Sequence, residues 1–366
     1  MPHVVIGGGI LGVSAAYSLI KNGQDVVLID ENHSGKATSA GAGIICPWIS
    51  SVQDPDWYEL AKRGALYYPE LIDSLAYDGE QETGYGKTGA IAVSKDKNEL
   101  NRIEEVARKK KQETEFVGEI KRLNSEQAKD LFPPLNKNLS AVYVSGGARV
   151  DGRLLTNAMR SAFEKLGGQV MEGKARLIAQ NGQIAAVETQ DDRIEAESVI
   201  VAAGAWSNEL LSPLGLSLSL DVQRGQIVHL KVDEDTSKWP VVLPQTSHYM
   251  VAFNDSRIAF GATRETGSGF AYRMTAGGIQ EVLNEGLDVA PGLHDATLGE
   301  VRIGFRPMSS DKKPLLGKSK KYENLVIATG LGASGLTIGP YAGKVAGQLA
   351  VNEKVDIELE AYNPFR

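Results

Sequence analysis

Apolar positions open the chain in a compact alternating plan. Val4-Val5-Ile6 marks a short buried strand over His3 to Ile6, and the spacing of Leu11, Ala15, Ala16 and Leu19 predicts a helix over Ile10 to Lys21. Gly23 ends that helix, and Val26-Val27-Leu28-Ile29 reads as a second strand, from Asp25 into Asp30. Helical spacing returns from Asp56 to Leu75, through Trp57, Leu60, Ala61, Leu66 and Leu71, and again from Arg153 to Leu166, ended by Gly167-Gly168. Lys97 to Glu115 is strongly charged and reads as a solvated helix. Its Arg108-Lys109-Lys110-Lys111 run is flanked by Glu104, Glu105, Glu113 and Glu115, which favours a solvated face over a polyanion patch.

Strand-like runs follow at Gln169 to Met171, Gln183 to Glu188 and Ser198 to Ala203. From Val222 to Ile258 the pattern alternates as an antiparallel sheet does, and Arg302 to Pro307 and Asn324 to Ala328 add further strands. Leu325 to Gly343 carries no charge and is long enough to span a bilayer. Gly330, Gly332, Gly335, Gly339 and Pro340 interrupt it, so it reads as strand, glycine loop and helix. Nucleotide-type elements occur early, in the middle and late, with sheet-rich sequence between them. Two interleaved domains are expected: 1–84, 146–214 and 303–366 in one, 85–145 and 215–302 in the other.

Composition narrows the class. The 366 residues are 42% hydrophobic and 23% charged, and mean hydropathy is -0.19, as for a globular chain with a sizeable core. A net charge of -7 disfavours nucleic acid as a partner. The single cysteine, Cys46, excludes intrachain disulfides, and a cytoplasmic setting is expected. Met1-Pro2-His3 lacks the features of a secretory signal. The five histidines lack ligand spacing, so no metal is expected. Forty glycines are an excess, and they cluster in loops.

The first cluster, Gly7-Gly8-Gly9-Ile10-Leu11-Gly12, follows a strand, opens a helix and is succeeded by an acid at the end of the next strand. That is the context of a dinucleotide site: Gly7 for the turn, Gly9 for approach to a pyrophosphate, Gly12 for close packing, Asp30 for a ribose. The motif does not separate FAD from NAD. Three later segments favour FAD: the small-residue loop Gly35 to Ile45, the buried run V-I-V-A-A-G-A-W at Val199 to Trp206, and Gly330 to Thr337 before a helix.

Taken with G-F-R-P at Gly304 to Pro307 and G-A-S-G-L-T-I-G-P at Gly332 to Pro340, the chain resembles the D-amino-acid oxidase family of flavoproteins over nearly its whole length. That group contains glycine oxidase, sarcosine oxidase and D-amino acid dehydrogenases. The resemblance implies an α/β fold, with a Rossmann-like FAD-binding domain interleaved with an antiparallel-sheet substrate domain. It implies FAD contacts at Gly7, Gly9, Ile10, Leu11, Gly12, Asp30, Glu31, Thr38, Ser39, Gly43, Ile44, Ala175, Ala203, Gly204, Trp206 and Arg306, and at Gly332, Ala333, Ser334, Gly335, Leu336 and Thr337. The last loop would present backbone N–H groups to the flavin edge that becomes negative on reduction, which a helix N-terminus stabilises. The cysteine that tethers flavin in monomeric sarcosine oxidase has no counterpart near Met308 to Pro314, so non-covalent FAD is expected.

The implied reaction dehydrogenates an amine beside a carboxylate, with hydride passing to flavin N5 and the imine hydrolysing to an oxo acid. No side-chain base is required. Arg306 matches the family's carboxylate-binding arginine, the alternative being a salt bridge to Asp311. Tyr249 matches a tyrosine bordering the substrate, or is an ordinary core aromatic. Trp48 is a candidate for the pocket roof. Arg264 stands where an apolar residue is usual; it either contacts a polar or acidic part of the substrate or pairs with Glu265. Glycine, sarcosine or a small D-amino acid is the expected substrate, with O2 or a quinone as electron acceptor; self-association is left open. The alternatives are a 2-hydroxy acid or glycerol-phosphate dehydrogenase, and a non-catalytic flavoprotein.

Overall fold

The computed structural model describes residues 1–366. Its first sheet has six strands in the order Leu315–Lys318, Leu325–Thr329, Ser198–Val201, His3–Ile6, Val26–Asp30 and Gln169–Glu172. All neighbours are parallel except the first pair. Strands covered on both faces read as continuous apolar runs, and His3–Ile6, Val26–Asp30 and Ser198–Val201 are buried at every position.

Helices Ile10–Lys21 and Gly335–Ala350 lie against one another within one core. A Cβ on Gly339 would stand 2.8 Å from Ile10 Cγ2, and one on Gly343 would stand 2.5 Å from the Leu11 carbonyl oxygen. Glycines four residues apart thus let two backbones touch, which explains why the uncharged stretch from Leu325 is rich in glycine. It is a strand, a turn and a 16-residue helix; no helix is long and apolar enough to cross a membrane.

The second sheet has nine strands and contains Ala90–Ser94, Ile120–Leu123, Ser140–Val144, Leu220–Lys231, Val241–Leu243, Tyr249–Ala252, Arg257–Gly261, Glu265–Thr266 and Thr297–Ser309. Leu220–Lys231 and Thr297–Ser309 pair along their length, so Arg306 stands opposite Gln223, and Gly304 opposite Gly225. One departure from antiparallel order is Val241–Leu243, which runs parallel to Ala90–Ser94.

Sequence periodicity misses the helix Ala276–Val289. Gly277, Gly278 and Gly286 blur its pattern, and two features compensate: the Thr275 hydroxyl accepts from the Gly278 N–H, and Gly286 lies against the Phe260 ring. The charged helix ends at Glu113, with Glu115 in a separate short turn. Its basic run is not wholly solvated. Lys110 turns inward, donating to the Pro47 carbonyl at 2.8 Å and lying over the Tyr58 ring.

Candidate active site

A cavity of about 380 Å³ opens where the parallel sheet meets the antiparallel one. At the parallel-sheet end the glycine loop is shaped by close approach. Gly7 has φ +114°, and a Cβ there would lie 2.4 Å from the Ala202 oxygen; one on Gly12 would lie 1.9 Å from the Gly7 oxygen. No side chain fits either place. Gly9 caps helix Ile10–Lys21, and the Thr38 hydroxyl accepts from the Ile10 N–H at 3.0 Å. The helix N-terminus therefore opens on the cavity, with its positive dipole end suited to a phosphate. Gly7, Gly9, Ile10, Leu11, Thr38, Gly43, Ile44, Ala175, Ala203, Gly204 and Trp206 line the wall. Gly12 stands behind it, as its packing role demands.

Asp30 and Glu31 also line this end, and both are already paired. Lys36 Nζ sits 2.5 Å from the Asp30 carboxylate, and Glu31 lies 3.2 Å from His33. The His33 ring stacks on Trp206 with centroids 4.4 Å apart. A third acid, Glu209, lies 4.0 Å from Lys174. His33, Lys174 and Glu209 are cavity residues that sequence reasoning missed, and Lys36 was included only within its loop, because nothing local marks these side chains. They come from loop ends that only folding brings together.

The Gly332–Ser334 turn runs into helix Gly335–Ala350, and Gly332, Ala333, Ser334, Gly335, Leu336 and Thr337 all line the cavity. Two hydroxyls here hold loops together: Ser334 accepts from the Trp57 indole at 2.9 Å, and Thr337 donates to the Ile44 carbonyl at 2.7 Å. Trp48 and Ser39, both expected at the site, do not line this cavity. Trp48 is 1% exposed in the core, its indole donating to the Gly146 carbonyl, because the Pro47–Ile49 turn faces it away from the cavity. Ser39 faces a separate polar cavity of about 270 Å³ beside Arg153, Glu300 and Arg302. Cys46 lines the wall, but burial pushes its thiol up to about 12, so it is inert.

At the other end, the second sheet contributes Arg306, Tyr249 and Arg264. Two glycines make room for them. A Cβ on Gly225 would lie 2.5 Å from Arg306 Nη2, and one on Gly261, paired across the sheet with Tyr249, would lie 2.6 Å from the phenol oxygen. Arg306 Nη1 donates to the Thr263 carbonyl at 3.0 Å and to the Gln223 side chain at 3.2 Å. Asp311 does not hold it; that carboxylate pairs with Arg366, which lowers it to about 2. Burial, then the charge of Arg264, pulls the Arg306 guanidinium below its ordinary value. Burial raises the Tyr249 phenol, with Arg306 and Arg264 opposing.

Glu265 is not the partner of Arg264. Its carboxylate accepts from Arg224 Nε at 3.0 Å, Gln226 at 2.8 Å and the Thr263 hydroxyl at 2.8 Å. Arg306 and Arg264 make no ion pair, whereas Asp30 and Glu209 pair with lysines and Glu31 lies beside the His33 ring.

The cradle fits FAD: a glycine turn closed to side chains, a helix N-terminus for phosphate, and a second helix N-terminus, that of Gly335–Ala350, on the same cavity wall. A family model described as FAD dependent oxidoreductase (DAO) matches residues 3–349. The chain is 44% identical over 364 residues to an uncharacterized oxidoreductase, YurR, of Bacillus subtilis strain 168, covering 99% of this chain and 98% of that one. It is 46% identical to the crystal structure of iminodiacetate oxidase (IdaA) from Chelativorans sp. BNC1, with TM-score 0.96 and 99% of both chains covered. Glycine oxidase from Geobacillus kaustophilus shares the fold at TM-score 0.89 and 24% identity, covering 100% of this chain and 98% of that chain. The chain belongs to the DAO family of FAD-dependent oxidoreductases.

Proposed function

We propose that this oxidoreductase acts on a small amine with a carboxylate on the neighbouring carbon, the class of glycine, sarcosine and small D-amino acids. The observation that carries the reading is the Arg306 guanidinium, on the cavity wall, oriented by Thr263 and Gln223, and free of any protein carboxylate. A planar donor fork of that kind suits a substrate carboxylate. The names of two similar proteins, iminodiacetate oxidase and glycine oxidase, point to the same chemistry.

Bound FAD supplies the two-electron acceptor. The residues at this end orient and bias the substrate. Arg306 fixes the carboxylate, and the phenol of Tyr249, held protonated by burial, donates beside it. No carboxylate lines this end, so nothing stabilises an ammonium there, and two guanidinia disfavour one. The amine therefore reacts as the free base and loses its proton to water. The α-carbon gives up a hydride as the C=N bond forms; water then adds, and the imine breaks down to the oxo acid and the released amine or ammonia. In this reading 1–84, 146–214 and 303–366 hold FAD, and 85–145 with 215–302 hold the substrate. Gly7, Gly9, Thr38, Gly43, Ala203 and Gly332 to Thr337 are the principal contacts to the cofactor.

The test is anaerobic bleaching of the flavin by glycine, sarcosine, iminodiacetate and a D-amino-acid panel, with glycolate and lactate alongside. Bleaching by an amine is expected. Bleaching by the hydroxy acids alone, or by none of these, overturns the reading. Oxygen uptake against reduction of a quinone then identifies the electron acceptor.

A further inference from the structure

The charges lining the cavity do not balance at its two ends. Toward the parallel sheet, Asp30 and Glu209 lie beside Lys36 and Lys174, and Glu31 lies beside the His33 ring. Toward the antiparallel sheet stand Arg306 and Arg264, with no lining carboxylate and no ion pair for either. The nearest acids are turned elsewhere. Glu265 is committed to Arg224, Gln226 and Thr263, while Glu281 and Glu285 approach His248 from outside the cavity.

One α-carboxylate satisfies Arg306 and leaves a second positive charge. Arg264 is adjacent in sequence to Thr263, whose carbonyl holds Arg306, so the two guanidinia share one wall. Their charges act on each other and on Tyr249. Arg306 is half-buried and Arg264 exposed, so water screens part of their repulsion, and an anion lying between them on this wall would relieve the rest.

We propose that Arg264 receives a second carboxylate, so that the substrate is a small amine carrying two carboxylates, one for each arginine. This rests on the reading of Arg306 above and names the substrate class it left open. A dianion neutralises both guanidinia at once, and a monocarboxylate leaves Arg264 without a counter-charge. Arg264 thus sets specificity, and Arg306 binds the carboxylate common to all substrates.

Glutarate and butyrate separate the proposal from the oxidation chemistry. They are the carbon analogues of iminodiacetate and sarcosine, differ by one carboxylate, and have no amine to oxidise. Calorimetric titration of the FAD-loaded protein should show glutarate binding about tenfold or more tighter than butyrate, as one added charged hydrogen bond provides. Arg264→Met should bring that ratio close to one, and Arg264→Lys should retain part of it. The iminodiacetate-to-sarcosine ratio in the rate of anaerobic flavin reduction should follow the same order. Equal affinities for glutarate and butyrate in the unaltered protein overturn the proposal, whether or not the variants fold. So does a glutarate preference that survives in a folded Arg264→Met protein. If glutarate is preferred but no amine bleaches the flavin, the oxidation reading fails and the dianion site stands. If amines bleach it without a glutarate preference, the converse holds.

Discussion

The Arg306 guanidinium donates a 3.0 Å hydrogen bond to the main-chain carbonyl of Thr263, and the Thr263 hydroxyl donates in turn to Glu265. Thr263 is fully buried and Arg224, another partner of Glu265, is 4% exposed. This cavity-facing arginine is therefore aimed by a polar network behind the wall, anchored by one carboxylate.

Glu265→Gln removes the charge that Arg224 needs. Arg224 is buried and Glu265 only partly so, and weakening a charged hydrogen bond there costs about 1.5–3 kcal/mol, so the unfolding midpoint in denaturant should drop. The single amide oxygen left cannot serve both Arg224 and the Thr263 hydroxyl as the carboxylate does, so Thr263 is held less firmly and KM for the substrate should rise more than kcat falls. An unchanged KM in a destabilised but folded variant would show that Glu265 is structural only.

Arg306→Lys keeps the charge and loses the planar fork. A drop of roughly a hundredfold in kcat/KM is expected, about 3 kcal/mol of charged hydrogen bonding. Steady-state kinetics decide it, and a change below about threefold, under 1 kcal/mol, would remove Arg306 from substrate binding.

Gly12→Ala puts a methyl group 1.9 Å from the Gly7 oxygen and 3.1 Å from the Ala202 Cβ. The turn that receives the dinucleotide must then open. Flavin retained per chain, read from the visible spectrum, should fall by about tenfold or more. Full retention would contradict the close packing assigned to this glycine.

His229 sets part of the acid sensitivity. Its ring is buried, and Arg257 donates to Nδ1 at 2.9 Å, so that nitrogen carries a lone pair and the ring is neutral. Burial, then Arg302 and Arg257, lowers it from 6.5 to about 3. The folded value is depressed, so below 6.5 the unfolded chain takes the extra proton. Stability is complete above that pH and is lost as pH falls toward 3, at up to ~1.4 kcal/mol per unit. His229→Gln keeps an acceptor for Arg257 and should flatten this limb. Parallel pH profiles for the two proteins would refute the assignment.

Local sequence specified the elements whose constraint is itself local. The strand, glycine turn, helix and strand from His3 to Asp30 follow from apolar spacing and from the spacing of the glycines, although Gly7 and Gly12 are also held close to Ala202, just past the end of a distant strand. The same holds for the strand and glycine turn from Leu325, and Arg306 was identifiable inside G-F-R-P. Helix Ala276–Val289 was not legible, since its glycines are explained by Phe260 in another strand.

Tertiary structure decided what depends on distant partners. Trp48 looks the same in sequence whether it roofs a pocket or fills a core, and a hydrogen bond to Gly146 places it in the core. Gly225 and Gly261 are anonymous until the sheet sets them against Arg306 and Tyr249. Asp311 and Glu265 were the sequence-adjacent partners for Arg306 and Arg264; folding gave one to Arg366 and the other to Arg224. The two arginines remain facing the cavity because ion pairing follows distance in space, which sequence order does not encode.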